Sequence, residues 1–212
     1  MFEAVVFDIG GTLVSDERYW GDRADRLNVP RHMLSGLVGA VVAQGRDSAD
    51  AIRLLRPGVD VGAEYRARGA AGRGQRLDES ELYPDARPAL RALRAAGIRV
   101  LIAGNRTVRA GELMRDLGLP ADAVTTSGDW GVAKPHPDFF RRVVAFAGAT
   151  PERIVYVGDN PANDIAPALA AGLRTVHVRR GVHGYLWADS QETERADWRI
   201  DSLAELPALL AP

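Results

Sequence analysis

The chain has 212 residues, 46% hydrophobic and 26% charged, with 22 Gly, 12 Pro and no Cys. This is the composition of a globular chain with a sizeable core, and it excludes collagen-like, disordered and disulfide-stapled classes, thiolate nucleophiles and Cys-ligated zinc. With 27 Lys plus Arg against 28 Asp plus Glu the formal charge is −1, so no global basic field exists to hold nucleic acid or an acidic membrane surface.

Glu3 to Asp8 (EAVVFD) is an apolar run stopped by Gly10-Gly11, which predicts a buried strand and a tight turn. No basic n-region precedes it, so the chain is expected to be cytoplasmic. Residues 15–83 carry helical patches at Asp16 to Leu27, Arg31 to Gln44 and Ala49 to Leu55, then a Gly- and Arg-rich stretch from Pro57 to Arg76 that reads as irregular. The longest apolar stretch, Leu34 to Ala43, is far short of the roughly 20 residues of a membrane span. Beyond residue 83 the pattern alternates. Helices are predicted at Asp85 to Ala96, Val108 to Leu117, Phe139 to Ala147 and Ala162 to Ala171, each followed by Gly. Strands are predicted at Ile98 to Ala103, Val124 to Thr126, Ile154 to Val157 and Thr175 to Val178, with a short edge strand at Trp198 to Ile200. This cadence predicts an α/β fold, a doubly wound parallel sheet of Rossmann-like type. Residues 1–14 and 84–212 would form its core, and 15–83 a helical insertion.

In such a sheet ligands sit beyond the carboxyl ends of the strands, and four clusters fall there. Asp8 with Gly10 and Gly11 reads equally as a turn-capping Asp or a catalytic carboxylate. Gly104-Asn105 ends the second strand and is by itself a turn signal. Lys134, in AKPHP, is the only Lys among the 27 basic residues; a compact ammonium kept where every other cation is Arg suggests a place a guanidinium would not serve. Asp159 to Asp164 (DNPAND) is an acidic turn opening a helix. Two carboxylates and one ammonium at three strand ends make a candidate magnesium and phosphate site.

This ordered set resembles the haloacid dehalogenase-like (HAD) superfamily, whose pattern runs hhhDxDGT, hhh(S/T)N, Lys, GDxxxND. The likeness rests on FDIGGTLV, VAKPHPDFF and VGDNPANDIAPALAAG, spans nearly the whole chain, and puts the insertion where that superfamily's small type-1 cap stands. The resemblance implies a magnesium-dependent hydrolase that acts on a small phosphorylated metabolite through an aspartyl-phosphate on Asp8. Lys134 would clamp phosphate and nucleophile, with Gly11, Gly104, Asn105 and Arg106 also at the phosphate. Asp8, the Gly10 carbonyl, Asp159 and, in support, Asp164 would hold the metal. Two departures stand against the pattern. The second Asp, the general acid and base, is Gly10 here, and the motif-two hydroxyl is Gly104, with Arg106 a candidate compensation. Loss of a positioned acid costs about 10²- to 10⁴-fold, most on poor leaving groups. Alkyl phosphomonoesters are therefore expected to be weak substrates, and Gly10→Asp to raise their turnover.

Three other chemistries compete with this one. A phosphonatase-like chemistry needs a cap Lys, and residues 15–83 contain none. A 2-haloacid dehalogenase-like hydrolase needs no acidic metal turn. A non-catalytic phosphate-binding or regulatory protein would explain the two lost groups, but gains nothing from a carboxylate at Asp8 unless a metal is held there. In the insertion, Tyr19 and Trp20 are expected to pack, and Arg18 and Arg23 to form a solvated face. His136 and His183 are read as structural or surface residues that could rim the site, and Trp130 as a packing residue.

Overall fold

The computed structural model describes residues 1–60, 62–63 and 76–210. Most of the Gly- and Arg-rich stretch, residues 61 and 64–75, lies outside them. Six strands form one parallel sheet: β1 (Ala4–Phe7), β2 (Arg99–Gly104), β3 (Ala123–Thr126), β4 (Ile154–Gly158), β5 (Arg174–Val178) and β6 (Trp198–Ile200). Their order is β3-β2-β1-β4-β5-β6, with every pairing parallel. The chain reverses its direction of travel across the sheet between β3 and β4, so the strand ends flanking β1 face a topological switch point.

Both faces of the sheet are covered because its strands alternate. Val5, Phe7, Val100, Ile102, Val155 and Val157 point to one side, where Leu90 and Leu93 of helix Ala86–Ala95 join Leu203 and Leu206. Ala4, Val6, Leu101, Ala103 and Tyr156 point to the other, against Phe139, Phe140 and Val143 of helix Pro137–Ala147. The period of two along each strand requires this division. Each fully buried Leu or Phe contributes about 1.5–3 kcal/mol of transfer free energy.

The helix expected at Ala162 to Ala171 is two pieces, a π-turn at Pro161–Ile165 and an α-helix at Ala166–Ala170. Pro167 has no N–H to give an α-helical bond to the preceding turn. Asn160 meanwhile caps the wide turn, its side chain accepting from Ala162 N and Asn163 N. Such wide turns re-aim side chains, and this one carries Asp164.

By compactness the chain divides into Met1–Ser15 with Leu77–Pro212, and Asp16–Arg76. Residues 77–83 go with the sheet because Val14 bridges Leu82 antiparallel and Tyr83 N donates to Leu13 O at 3.0 Å. The second unit holds helices Glu17–Leu27, Arg31–Val42 and Asp50–Leu55. Tyr19 and Trp20 pack edge to face there, 5.0 Å between centroids. Arg23 is not part of a solvated face: it is 8% exposed, with its guanidinium 3.4 Å above the Tyr19 ring. An aromatic face offers a guanidinium a weakly hydrated seat that water does not. Among the described residues no helix is long and apolar enough to cross a membrane.

Candidate active site

Asp8 follows β1 directly, and its N–H still donates to Val157 O on β4 at 2.9 Å. Its backbone is thus fixed by the sheet while its side chain leaves the strand end. Lys134 reaches it from the loop before helix Pro137–Ala147. The ammonium donates to Asp8 Oδ1 at 2.5 Å and to Asp164 Oδ1 at 2.5 Å. Beneath it lie the rings of Tyr156 and Phe139, 5.5 and 6.0 Å from Nζ. Burial works against this ammonium, but the Asp164 and Asp8 carboxylates outweigh it and hold the pKa well above that of ordinary lysine. Lys134 is charged throughout the neutral range.

Asp164 is fully buried and spends both oxygens on the protein, Oδ1 on Lys134 and Oδ2 on Asn160 N at 2.9 Å. Burial pushes its pKa up to about 6, with Lys134 pulling the other way. Its place is therefore that of an anchor for Lys134. Asp159 is also buried, and one carboxylate oxygen from each of Asp8, Asp159 and Asp164 lies within 4.8 Å of the others. Among the described residues no donor reaches Asp8 Oδ2, which leaves that oxygen for chemistry.

Asn105 braces the same loop. Its Nδ2 donates to Lys134 O at 2.9 Å and its Oδ1 accepts from Lys134 N at 2.8 Å. Among the described residues, its main-chain N–H and the second Nδ2 hydrogen are the donors not engaged in these two bonds. Gly104 is held to a hydrogen side chain by Asp8: a Cβ there would stand 2.5 Å from Asp8 Oδ1 and 3.1 Å from Ile9 N. A Ser or Thr at this position would need Asp8 to turn away. Gly11 has φ +71° and no room either, since a Cβ would meet Asp159 Cγ at 2.6 Å. The sequence-predicted residues Asp8, Gly11, Gly104, Asn105, Lys134, Asp159 and Asp164 thus come together, and Gly10 and Arg106 lie side by side.

The remaining histidines and Trp130 divide. His136 is an N-cap, its Nδ1 accepting from Asp138 N at 3.2 Å. Trp130 packs against Phe139 and Phe146. His183 stands at the site, Nδ1 3.9 Å from Asp159 Oδ2.

Sequence reasoning missed three supports. Tyr156 donates its hydroxyl to Ala103 O at 2.8 Å, tying β4 to β2 beneath the ammonium. His177, buried on β5, has Nε2 3.2 Å from Asp159 O; burial lowers its pKa, so the neutral ring donates there. Arg180 donates to Asp85 at 2.9 and 2.5 Å and to Thr12 O at 3.1 Å. Asp85 also accepts from Ser202 Oγ and Leu203 N. This cluster joins the loops after β1 and β5, the second of which brings Gly181 against Asp159. Burial raises the Asp85 pKa, but its bonds to Arg180, Ser202 and Leu203 bring it below 3.8. Its contribution to stability is therefore present above pH 3.8 and lost as pH falls through the lowered value. Arg180→Met leaves Asp85 partly buried without its cation and is expected to cost about 3 kcal/mol, read by urea unfolding at pH 7. A loss below about 1 kcal/mol would mean that the pair is only a solvated contact.

A family profile described as haloacid dehalogenase-like hydrolase matches residues 2–172. The chain is 35% identical over 127 residues to the glyceraldehyde 3-phosphate phosphatase of Methanocaldococcus jannaschii, covering 58% of this chain and 54% of that one. It is 33% identical over 153 residues to the phosphoserine phosphatase of Thermus thermophilus, covering 66% and 60%. The matches thus span between half and two thirds of these relatives. Among solved structures, a dehalogenase superposes with TM-score 0.72 at 22% identity over 100% of this chain and 98% of that one. A HAD phosphatase from Thermococcus onnurineus superposes with TM-score 0.61 at 24% identity, covering 99% and 98%. At these identities the likeness speaks for the fold alone.

Proposed function

Because the chain belongs to the haloacid dehalogenase-like hydrolase family, we propose that it is a phosphatase-type hydrolase acting on a small phosphorylated metabolite through Asp8. The observation that carries this reading is the Lys134 ammonium seated between Asp8 and Asp164, with Asp159 beside them. A nucleophilic carboxylate must approach an anionic phosphoryl group, and a fixed buried cation offsets that repulsion without reorganising. Relatives at 33–35% identity are named phosphatases of small phosphorylated compounds.

The donor set also fits a hard divalent cation. Carboxylate oxygens of Asp8 and Asp159 with the Gly10 carbonyl would hold Mg²⁺, as such ions prefer oxygen ligands, and Asp164 would support them by holding Lys134. When bound, the ion would supply neutralisation of phosphoryl charge. Everything else falls to the chain. Asp8 Oδ2 attacks phosphorus as the bond from phosphorus to the leaving oxygen breaks, Lys134 holds Asp8 in its orientation through Oδ1, and Asn105 holds the Lys134 loop. The unit Asp16–Arg76 would act as a cap and set substrate choice.

A non-catalytic phosphate-binding reading draws on the same chain, because Gly10 removes the acid and Gly104 the hydroxyl. Substrates with different leaving groups separate the two. With Mg²⁺ present, acetyl phosphate and p-nitrophenyl phosphate are expected to be turned over with kcat/KM about 10²- to 10⁴-fold above glycerol phosphate, whose alkoxide needs the missing proton donor. Phosphate release that is equal in Asp8→Asn, or binding of Mg²⁺ and phosphate with no turnover of any of the three, would contradict the proposal.

A further inference from the structure

The Asp159 carboxylate lies in a slot between two stretches of bare backbone. A Cβ on Gly181 would stand 3.0 Å from Asp159 Oδ2 and 3.0 Å from Gly11 Cα, and a Cβ on Gly11 would stand 2.6 Å from the Asp159 carboxyl carbon. Both glycines have left-handed backbone, φ +62° and +71°, so neither wall of the slot admits a side chain. Their chain neighbours Arg180 and Thr12 are bonded to each other, Arg180 Nη1 donating to Thr12 O at 3.1 Å. That bond runs from one wall to the other. The same buried guanidinium is anchored by Asp85, which accepts from Nη1 at 2.9 Å and from Nη2 at 2.5 Å, with the Tyr83 ring 4.4 Å from Cζ. Asp85 in turn accepts from Ser202 Oγ at 2.6 Å and Leu203 N at 2.9 Å. From β5 itself, the His177 ring sits 3.2 Å from the Asp159 carbonyl. The strand and the turn after it thus hold both the backbone and the carboxylate of Asp159.

We propose that Arg180 is a positioning residue for the divalent cation: by tying the Gly11 wall to the Gly181 wall it fixes the direction of the Asp159 carboxylate, and so sets how tightly the ion is held. The proposal rests on the reading of Asp159 as a metal-holding carboxylate. Arg180 acts through Thr12, Gly11 and Gly181, not through contact with the ion. A carboxylate that is already aimed loses little freedom when it takes up a cation, whereas one that must be ordered first spends part of the binding free energy on that ordering. Groups that orient metal ligands are worth about 10- to 100-fold in metal affinity. A guanidinium suits this place because its planar fork engages both Asp85 oxygens and still turns a third N–H to Thr12 O. An ammonium keeps the charge beside Asp85 but, as a single point of donors, does not span to Thr12 as well.

The test titrates Mg²⁺ calorimetrically into metal-stripped wild type and variants, with no substrate present, and runs urea unfolding on the same preparations. Arg180→Met is expected to raise the Mg²⁺ Kd about 10- to 100-fold. Arg180→Lys keeps a cation beside Asp85, and with it most of the stability, but is expected to raise Kd at least about fivefold; it decides the matter if the Met variant does not fold. Ser202→Ala removes a different donor from the same Asp85 carboxylate and leaves the Arg180–Thr12 bond in place. It should lower stability while changing the Mg²⁺ Kd by less than about twofold, which separates positioning from general destabilisation. Asp159→Asn is the control for the underlying reading and should weaken Mg²⁺ binding at least as much as Arg180→Met. Kd values unchanged in the Arg180 variants while Asp159→Asn binds poorly, or an equal weakening in Ser202→Ala, would overturn the role of Arg180 and leave Asp159 as a metal-holding carboxylate. Undiminished Mg²⁺ affinity in Asp159→Asn would overturn the reading of Asp159, and this inference with it.

Discussion

Lys134→Met is expected to cost about 3–5 kcal/mol of stability and to abolish turnover. The variant keeps most of the side-chain volume but leaves Asp8 and Asp164 with no cation between them. The native ammonium touches one oxygen of each at 2.5 Å, and Asp164 is fully buried. Burial already pushes Asp164 up to about 6 with Lys134 in place, and without it the carboxyl must rise further. A carboxyl whose folded pKa lies above its unfolded value of 3.8 binds protons more tightly when folded. Its contribution to stability is full below pH 3.8 and falls as pH rises through the folded value. In metal-free protein the deficit of the variant should therefore be larger at pH 7.5 than at pH 5. Urea unfolding at both pH values reads this directly. A deficit below about 1 kcal/mol, or one that does not change between them, would mean that the ammonium is not what holds the two carboxylates together.

Asp8→Asn separates chemistry from folding at the same spot. The amide keeps the shape and can still accept from Lys134 through its oxygen, while Lys134 retains its charged partner Asp164. Stability should change by no more than about 1–2 kcal/mol. Turnover of acetyl phosphate should fall by at least about 10³-fold, because a neutral amide oxygen cannot form the acyl phosphate and removal of a nucleophile leaves only binding and electrostatic positioning. Steady-state rates and an unfolding curve on the same preparation check both halves.

Much of this architecture is written in short-range signals. Glu3 to Asp8 and Ile154 to Val157 are apolar runs closed by Gly or Asp, and both strands form at those places. The ends of β1 and β4 carry Asp8 and Asp159, so knowing that the strands are parallel was enough to put the two carboxylates together. The lone Lys was legible for another reason, the contrast with a chain that otherwise uses Arg. What stayed hidden depends on partners distant in sequence. Arg180 and Asp85 are 95 residues apart, and neither has a local pattern that points to the other. The break at Ile165 was hidden by an apolar spacing that suits one continuous helix, although Pro167 was a signal for it. Gly104 looked like a simple loss of a hydroxyl. The backbone reason for it, Asp8 leaning into the space of a Cβ, exists only once β1 and β2 are paired. Arg106 was visible as a candidate but its seat beside Gly10 was not, since the side-chain path from one loop to the other has no trace in spacing.

The covalent state of Asp8 is the most direct test. The protein is mixed with acetyl phosphate and Mg²⁺, quenched in acid, reduced with borohydride, and its peptides are mapped by mass. The expected result is conversion of the residue-8 side chain from carboxylate to alcohol, in the wild type and not in Asp8→Asn. Phosphate release with an unmodified Asp8 peptide, or reduction at any other carboxylate, would contradict it.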